Sequence, residues 1–202
     1  MIILESERLF IRSYKESDLP EYFALFSNEQ NMYFLLDDIF VKTIDEARES
    51  LLQAIEVNEK NQARRFCIVL KAKDDEKPSH WDAPLIGGCG YDFMVETPIG
   101  KVARMGWFIL PEFQNQGYVT EAVRRILEFA FNEDNCIRVE TGCFKDNNPS
   151  RKVMEKAGFR KEAERIKAIW HDGQMKDRLE FAMNKEDYIR FFDIPTILYQ
   201  HK

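Results

Sequence analysis

Residues Gln114 to Ala122 read Gln-Asn-Gln-Gly-Tyr-Val-Thr-Glu-Ala, and their types and spacing suit the binding of a phosphate group. The apolar run Trp107-Phe108-Ile109-Leu110 enters this stretch and Pro111 closes it, which reads as the end of a strand. Val119, Ala122, Val123, Ile126, Leu127 and Ala130 then recur at helical spacing. A strand, a glycine-bearing turn and a helix aim the first-turn N–H groups at one point. Those groups lack acceptors within the helix, and the helix dipole adds partial positive charge. Gly117 has no Cβ, so a ligand can approach its backbone closely. Asn115 is the residue type that, after glycine, best tolerates a left-handed conformation. An ordinary β-turn-α connection would carry the same spacing. The stretch is neither a P-loop, which needs Gly-Lys-Ser/Thr, nor a dinucleotide fingerprint, which needs three spaced glycines.

The pattern Gln114-x-x-Gly117-x-Val119, preceded by a strand and followed by Thr120-Glu121-Ala122, resembles the acyl-CoA pyrophosphate loop of the GNAT superfamily of N-acetyltransferases. It departs at Val119, where the family usually has Gly or Ala, but only the backbone N–H is asked to bind there. A second segment, Asp146-Asn147-Asn148-Pro149-Ser150 followed by Val153 to Phe159, is similar to the Asn-x-x-Ser…Glu-Lys-x-Gly-Phe run of the RimJ/RimL branch. That branch acetylates protein N-termini, including those of ribosomal proteins. Leu4 and Glu7 to Arg12 resemble its opening Leu-x-x-Glu-Arg-Leu-x-Ile-Arg.

The resemblance implies acetyl-CoA as co-substrate and a role for each matched position. Ile109 and Leu110 would pair by main chain with the pantetheine arm, with an N–H near Ile109 as oxyanion donor. Gln116, Gly117, Val119 and Thr120 would give N–H groups to the pyrophosphate, with Gln114 and Asn115 completing the loop. Asn147 would hydrogen-bond the pantetheine, although a helix cap would also account for it. Ser150 would be the acid that protonates the leaving thiolate. A first-turn helix residue with no chemical role is the alternative for Ser150.

Two departures bear on mechanism. Many family members carry a Glu base early in the strand before the loop, where this chain has Arg104, and a Tyr acid where it has Met154. A hydroxyl is a weak acid, but a thiolate of pKa about 8.5 needs little help. A lysine side chain, with a pKa of about 10.4, is almost wholly protonated at neutral pH, whereas an α-amine at about 7.7–8.0 is partly free. A site without a strong base therefore fits an N-terminal α-amine. Asp92 or Glu96 could serve as base instead. Arg104 could bind an acidic residue of the substrate or be a solvated strand position. Asp37 and Asp38, after the aromatic run Met32 to Leu36, fall in the family's substrate-specifying connection.

The elements that must position these residues follow from periodicity and turn chemistry. Arg8 to Arg12 reads as a strand. Asp18 opens a helix with Glu21 as its capping-box partner, and Thr43 with Glu46 opens a second that runs to about Asn58. Strands follow at Arg65 to Leu70, Leu85 to Met94 and Lys101 to Leu110, the last two joined by a turn at Thr97 to Gly100. Lys73 to Pro84, which includes His80, reads as a solvated loop. After the central helix come a strand at Ile137 to Phe144 and a helix from Asn148-Pro149 to Gly158. A hairpin from Arg160 to Met183 turns near an exposed His171. A tail from Lys185 to Lys202 forms a short helix and arm.

This order matches the GNAT fold: α/β, a single domain over residues 1–202, with a mostly antiparallel central sheet flanked by helices. With 45% hydrophobic and 32% charged residues, the balance is that of an ordinary globular chain. A net charge of −6 argues against nucleic acid. No apolar run spans a membrane and no signal peptide is seen. Cys67, Cys89, Cys136 and Cys143 lie singly, which predicts reduced core thiols and a cytoplasmic protein, as monomer or homodimer. No metal-ligand spacing occurs, so no metal is expected. The reading is an acetyl-CoA-dependent transferase acting on a peptide α-amine. An aminoglycoside or polyamine acetyltransferase and a non-catalytic acyl-CoA-binding module are the alternatives.

Overall fold

A short strand precedes the one that the alternation predicts. Ile3–Glu5 (β1) pairs antiparallel with Leu9–Ser13 (β2), Leu4 lying opposite Ile11. Three residues are too few to show a period, but Leu4, Leu9 and Ile11 are buried. The structure is a computed structural model that describes residues 1–35, 40–71 and 83–193. Asp37 and Asp38, the charged segment with His80 and the end of the C-terminal arm lie outside the described residues.

The chain divides into two units: residues 1–92 with 105–126, and residues 93–104 with 127–202. In the first unit β2 pairs antiparallel with Ala63–Leu70 (β3), and β3 with Leu85–Thr97 (β4). Strand order there is β1-β2-β3-β4, then Gly100–Ile109 (β5), whose second half belongs to this unit. Leu19–Phe26 (α1), Glu29–Met32 (α2) and Ile44–Glu59 (α3) also belong to it. Tyr14, Tyr22, Phe26 and Phe108 form an aromatic chain in its core, with centroids 5.2, 4.1 and 4.8 Å apart.

The start of α1 corrects the expected capping box. Asp18 caps nothing with its side chain, because its carboxylate accepts from Arg12 Nη1 and Nη2 at 2.7 and 2.8 Å. Both side chains are buried. The remaining capacity of Asp18 takes the Lys15 N–H at 2.9 Å, which caps the start of the 3₁₀ turn Glu16–Asp18 ahead of α1. A buried guanidinium outcompetes a local cap because leaving it without a counter-charge costs far more. Thr43 caps α3 as expected through the Glu46 N–H at 3.2 Å, but Glu46 reaches one residue further back, to the Lys42 N–H.

The second unit has the order β5-β6-β8-β7, where β6 is Cys136–Phe144, β7 Arg160–His171 and β8 Gln174–Asn184. β6 runs parallel to β5, while β8 runs antiparallel to both β6 and β7. Asn148–Ala157 (α5) ends at Gly158, φ +91, with the Phe159 N–H donating to the Met154 carbonyl at 3.0 Å. That is the left-handed cap with hydrophobic follow-on that Gly158-Phe159 predicts. Lys185–Phe191 (α6) buries Tyr188 against Phe131, the ring centroids 4.9 Å apart. His171 is a correction: it is buried, its ring 4.7 Å from that of Phe144, and the hairpin tip is Asp172-Gly173. Tyr118–Asn132 (α4) begins in the first unit and ends in the second. Among the described residues no helix is long and apolar enough to cross a membrane.

Candidate functional site

In the first unit, β5 delivers the chain to the corner. The Leu110 N–H donates to the Ile86 carbonyl at 2.9 Å, and the Leu110 carbonyl accepts from the Phe113 N–H at 3.0 Å. Both main-chain groups of Leu110 thus have protein partners, while Ile109 sits at the strand end with its carbonyl 3.5 Å from Gln114 Nε2. A Cβ at Gly87 would lie 2.5 Å from the Phe108 carbonyl oxygen, so β4 carries glycine where β5 presses closest.

Beyond the 3₁₀ turn Pro111–Phe113, Asn115 and Gly117 adopt φ +60 and +84. Both positions predicted from residue type to favour left-handed backbone do so, and they swing the chain from strand into α4. The first bond of α4 runs from the Glu121 N–H to the Gly117 carbonyl at 3.0 Å. The N–H groups of Tyr118, Val119 and Thr120 therefore have no acceptor inside the helix, at its electropositive end.

Arg8 holds this corner, and sequence reasoning missed it. Its Nη1 donates to the Gln116 carbonyl at 3.0 Å and its Nε to Glu121 Oε2 at 2.7 Å. Its main-chain N–H donates to Glu121 Oε1 at 2.8 Å, as does Ser6 Oγ. Its guanidinium lies 4.5 Å from the centre of the Tyr118 ring. Because a trans peptide points C=O and N–H in opposite directions, tying the Gln116 carbonyl to Arg8 turns the Gly117 N–H away from it. Burial alone would raise the Glu121 carboxyl, but hydrogen bonds from the Arg8 main chain, Ser6 and the Arg8 side chain outweigh it and hold the pKa below its ordinary value. Arg8 and Glu121 lie 113 positions apart, so only their presence in two separate motifs hinted at the pair.

In the second unit, Asn147 is the N-cap of α5: its Oδ1 accepts the Ser150 N–H at 3.1 Å. The cap uses the main chain of Ser150, leaving the Asn147 amide NH₂ and the Ser150 hydroxyl for other partners. Met154 is fully buried core and carries no proton to give. Burial pushes the Cys143 thiol up to about 11, so it stays protonated at neutral pH.

Arg104 lies opposite Glu140 across the parallel β5–β6 pair. Its guanidinium is 3.8 Å from both Glu140 and Glu180. Each carboxylate has a closer partner: Arg138 Nε donates to Glu140 at 2.9 Å and Arg178 Nε to Glu180 at 3.0 Å. Arg138 also forks onto Glu162, and that hydrogen bond, with burial opposing, raises its pKa. Gly142 makes the room for this cluster, since a Cβ there would lie 2.8 Å from Glu180 Oε2 and 2.9 Å from Arg178 Nη2. Asp92, in the first unit, pairs with Arg65, and Glu96 lies 3.9 Å from Lys101. Among the described residues no group of three or more His, Cys, Asp and Glu could hold a metal ion.

The corner thus offers a compact set of N–H donors and a fixed positive end, which suits the diphosphate of a coenzyme A. A model of the acetyltransferase (GNAT) domain matches residues 8–160. The chain is 27% identical over 186 residues to the uncharacterized N-acetyltransferase YnaD of Bacillus subtilis, covering 92% of this chain and 98% of that protein. Among solved structures, the ribosomal-protein-S5-alanine acetyltransferase of Vibrio fischeri shares the fold at TM-score 0.77 and 22% identity, over 93% of this chain and 99% of that one. The spermidine N-acetyltransferase of Vibrio cholerae, solved with CoA and spermine, does so at TM-score 0.73 and 20% identity, over 90% and 98%.

Proposed function

Because the chain belongs to the GNAT acetyltransferase family, it is an acetyl-CoA-dependent N-acetyltransferase, and we propose that its acceptor is the α-amine at the N-terminus of a protein or peptide. The two Vibrio proteins act on acceptors of different kinds, so fold likeness does not choose between them. Arg104 carries the choice. A guanidinium stands where the family usually places its Glu base, and the carboxylates beside it are engaged by arginines. An amine acceptor must supply its own uncharged form, and an α-amine of pKa about 8 does so far better than a lysine or polyamine of about 10.4.

Each residue then has a defined task. The N–H groups of Gln116, Gly117, Val119 and Thr120 hold the diphosphate, with Gln114 and Asn115 shaping the loop. Acetyl-CoA supplies the acetyl group as a thioester. The uncharged amine attacks the thioester carbon directly in a ternary complex, and the main-chain N–H at Ile109 stabilises the charge that develops on oxygen. The carbon–sulfur bond breaks, and the Ser150 hydroxyl gives a proton to the departing sulfur. The amine releases its proton to solvent and Ser150 takes one back from solvent, so the protons balance and the hydroxyl is restored. Asn147 positions the pantetheine through its amide NH₂.

The test is released thiol measured against free-N-terminus peptides, spermidine and an aminoglycoside. Peptide turnover is expected, with kcat/KM rising through a midpoint near the pKa of an α-amine (about 7.7–8.0) and levelling off above it. Ser150→Ala should lower kcat by about a hundredfold. It leaves the α5 cap intact, because Asn147 binds the main chain of that residue. Unchanged turnover would remove Ser150 from the mechanism. Activity on spermidine alone would overturn the α-amine reading.

A further inference from the structure

We propose that the arginine cluster on β5, β6, β7 and β8 is a subsite for an acidic side chain close to the acceptor amine, with Arg104 as the residue that takes the carboxylate. The inference rests on the α-amine reading and narrows it to N-termini whose second or third residue is Asp or Glu.

Three guanidinium groups meet one carboxylate here. Glu180 Oε1 lies 3.0 Å from Arg178 Nε and 3.5 Å from Arg165 Nη1, and Glu180 Oε2 lies 3.8 Å from Arg104 Nη2. Glu140, the other neighbour of Arg104, is held by Arg138 at 2.9 Å. Positive charge is therefore in local excess around Glu180, on a protein whose net charge is −6. Within this cluster Arg104 differs from its companions. Arg138 and Arg178 are one-quarter exposed or less and make short charge-assisted bonds. Arg104 is 43% exposed, and both of its carboxylate contacts, at 3.8 Å, lie beyond hydrogen-bond distance.

An incoming carboxylate would thus gain a two-pronged bond with the Arg104 fork without displacing an existing one. Gly142 keeps the space beside it for Glu180 and Arg178, so the neighbours that orient the fork are themselves packed. The same excess charge repels a polycation, which distinguishes this acceptor class from a polyamine by repulsion as well as by attraction. Glu140 and Glu180, each 3.8 Å away, attract the Arg104 guanidinium without hydrogen-bonding to it.

The experiment compares Ala-Glu-Asp-led and Ala-Lys-Lys-led peptides of equal length with the full-length protein and acetyl-CoA, locating the acetyl group by mass spectrometry. The acidic peptide is expected to lead by about tenfold in kcat/KM, mostly through KM, and to lose the lead at 0.5 M salt. Arg104→Gln should abolish the lead, Arg104→Lys keep part of it, and Arg104→Glu invert it, with melting temperatures confirming that each variant folds. As a measurement independent of turnover, the N-acetylated acidic peptide is titrated into the CoA-loaded protein while the Arg104 side-chain Nε–H is followed by NMR. A shift of that resonance supports the subsite. Equal turnover of both peptides at their α-amines overturns the subsite and leaves the α-amine reading standing. A lead that survives Arg104→Gln does the same. Turnover of spermidine with neither peptide used nor bound overturns both.

Discussion

At the scale of single residues, the best-determined feature of the coenzyme corner is a side chain that need not touch coenzyme. Arg8 ties the Gln116 carbonyl and the Glu121 carboxylate to the β2 end of the sheet. Arg8→Ala should cost only about 1 kcal/mol of stability, because the pair is partly solvated. It should nevertheless raise the KM for acetyl-CoA several-fold with kcat nearly unchanged, since the loop that loses its tether binds coenzyme and not acceptor. Arg8→Lys, which keeps the charge but not the fork, should recover only part of the loss. Gly117→Ala should act on the same constant, because forcing an L-residue to φ +84 costs about 1–2 kcal/mol. The sign of the pH effect follows from the lowered Glu121 pKa. The clamp is fully present above the ordinary carboxyl range and is lost as pH falls through the lowered value, so KM for acetyl-CoA should stay flat down through the ordinary carboxyl range and rise only below it. A KM that rises in step with an α-amine pKa instead would show that the clamp does not set coenzyme affinity.

At the scale of elements, the corner and α5 were legible because their signals are local. Asn115, Gly117 and Gly158 occupy left-handed positions that residue type alone suggests, and Asn147 caps three residues ahead. The contacts that failed to show are those between residues far apart in sequence or in competition. Asp18 looks like a helix cap from its neighbours, yet Arg12, brought beside it by the β2 strand, claims its carboxylate. His171 looks exposed at a hairpin tip, yet Phe144 on another strand covers it. The Arg104 cluster unites residues from four strands, and no spacing rule joins them. The Arg12–Asp18 pair gives this lesson a measurable form. Asp18→Ala leaves a buried guanidinium uncompensated and should cost about 3–5 kcal/mol. Replacing both partners, as Arg12→Met with Asp18→Leu, should recover much of that loss. Urea unfolding of the single and double variants measures the difference, and equal losses in both would mean that the charge is not the cause.

At the scale of the whole molecule, the chain carries no disulfide among its described residues; its four cysteines are buried thiols, in strands of both units. Their burial has a consequence for stability at alkaline pH. Desolvation pushes the Cys67 thiol up to about 12 and the Cys143 thiol to about 11, and it raises Cys89, Tyr14 and Tyr22 as well. In the unfolded chain a thiol ionises near its ordinary pKa of about 8.5. Between that value and the raised one, the unfolded state has released a proton that the folded state keeps, so stability must fall as pH rises. Below the unfolded value both states hold the proton and the contribution is complete. Each buried thiol steepens the fall by up to about 1.4 kcal/mol per pH unit once the unfolded thiol is ionised. The urea midpoint should therefore be level from pH 7 to about 8 and drop progressively between about 9 and 11. Cys67→Ala leaves a small cavity and lowers stability at neutral pH, but it removes one ionising group and should make the alkaline slope shallower. Cys143→Ala should do the same over a narrower window, because its raised value lies nearer the ordinary one. A slope identical in wild type and both variants would mean that these thiols reach solvent in the folded protein, against the burial described for both strands.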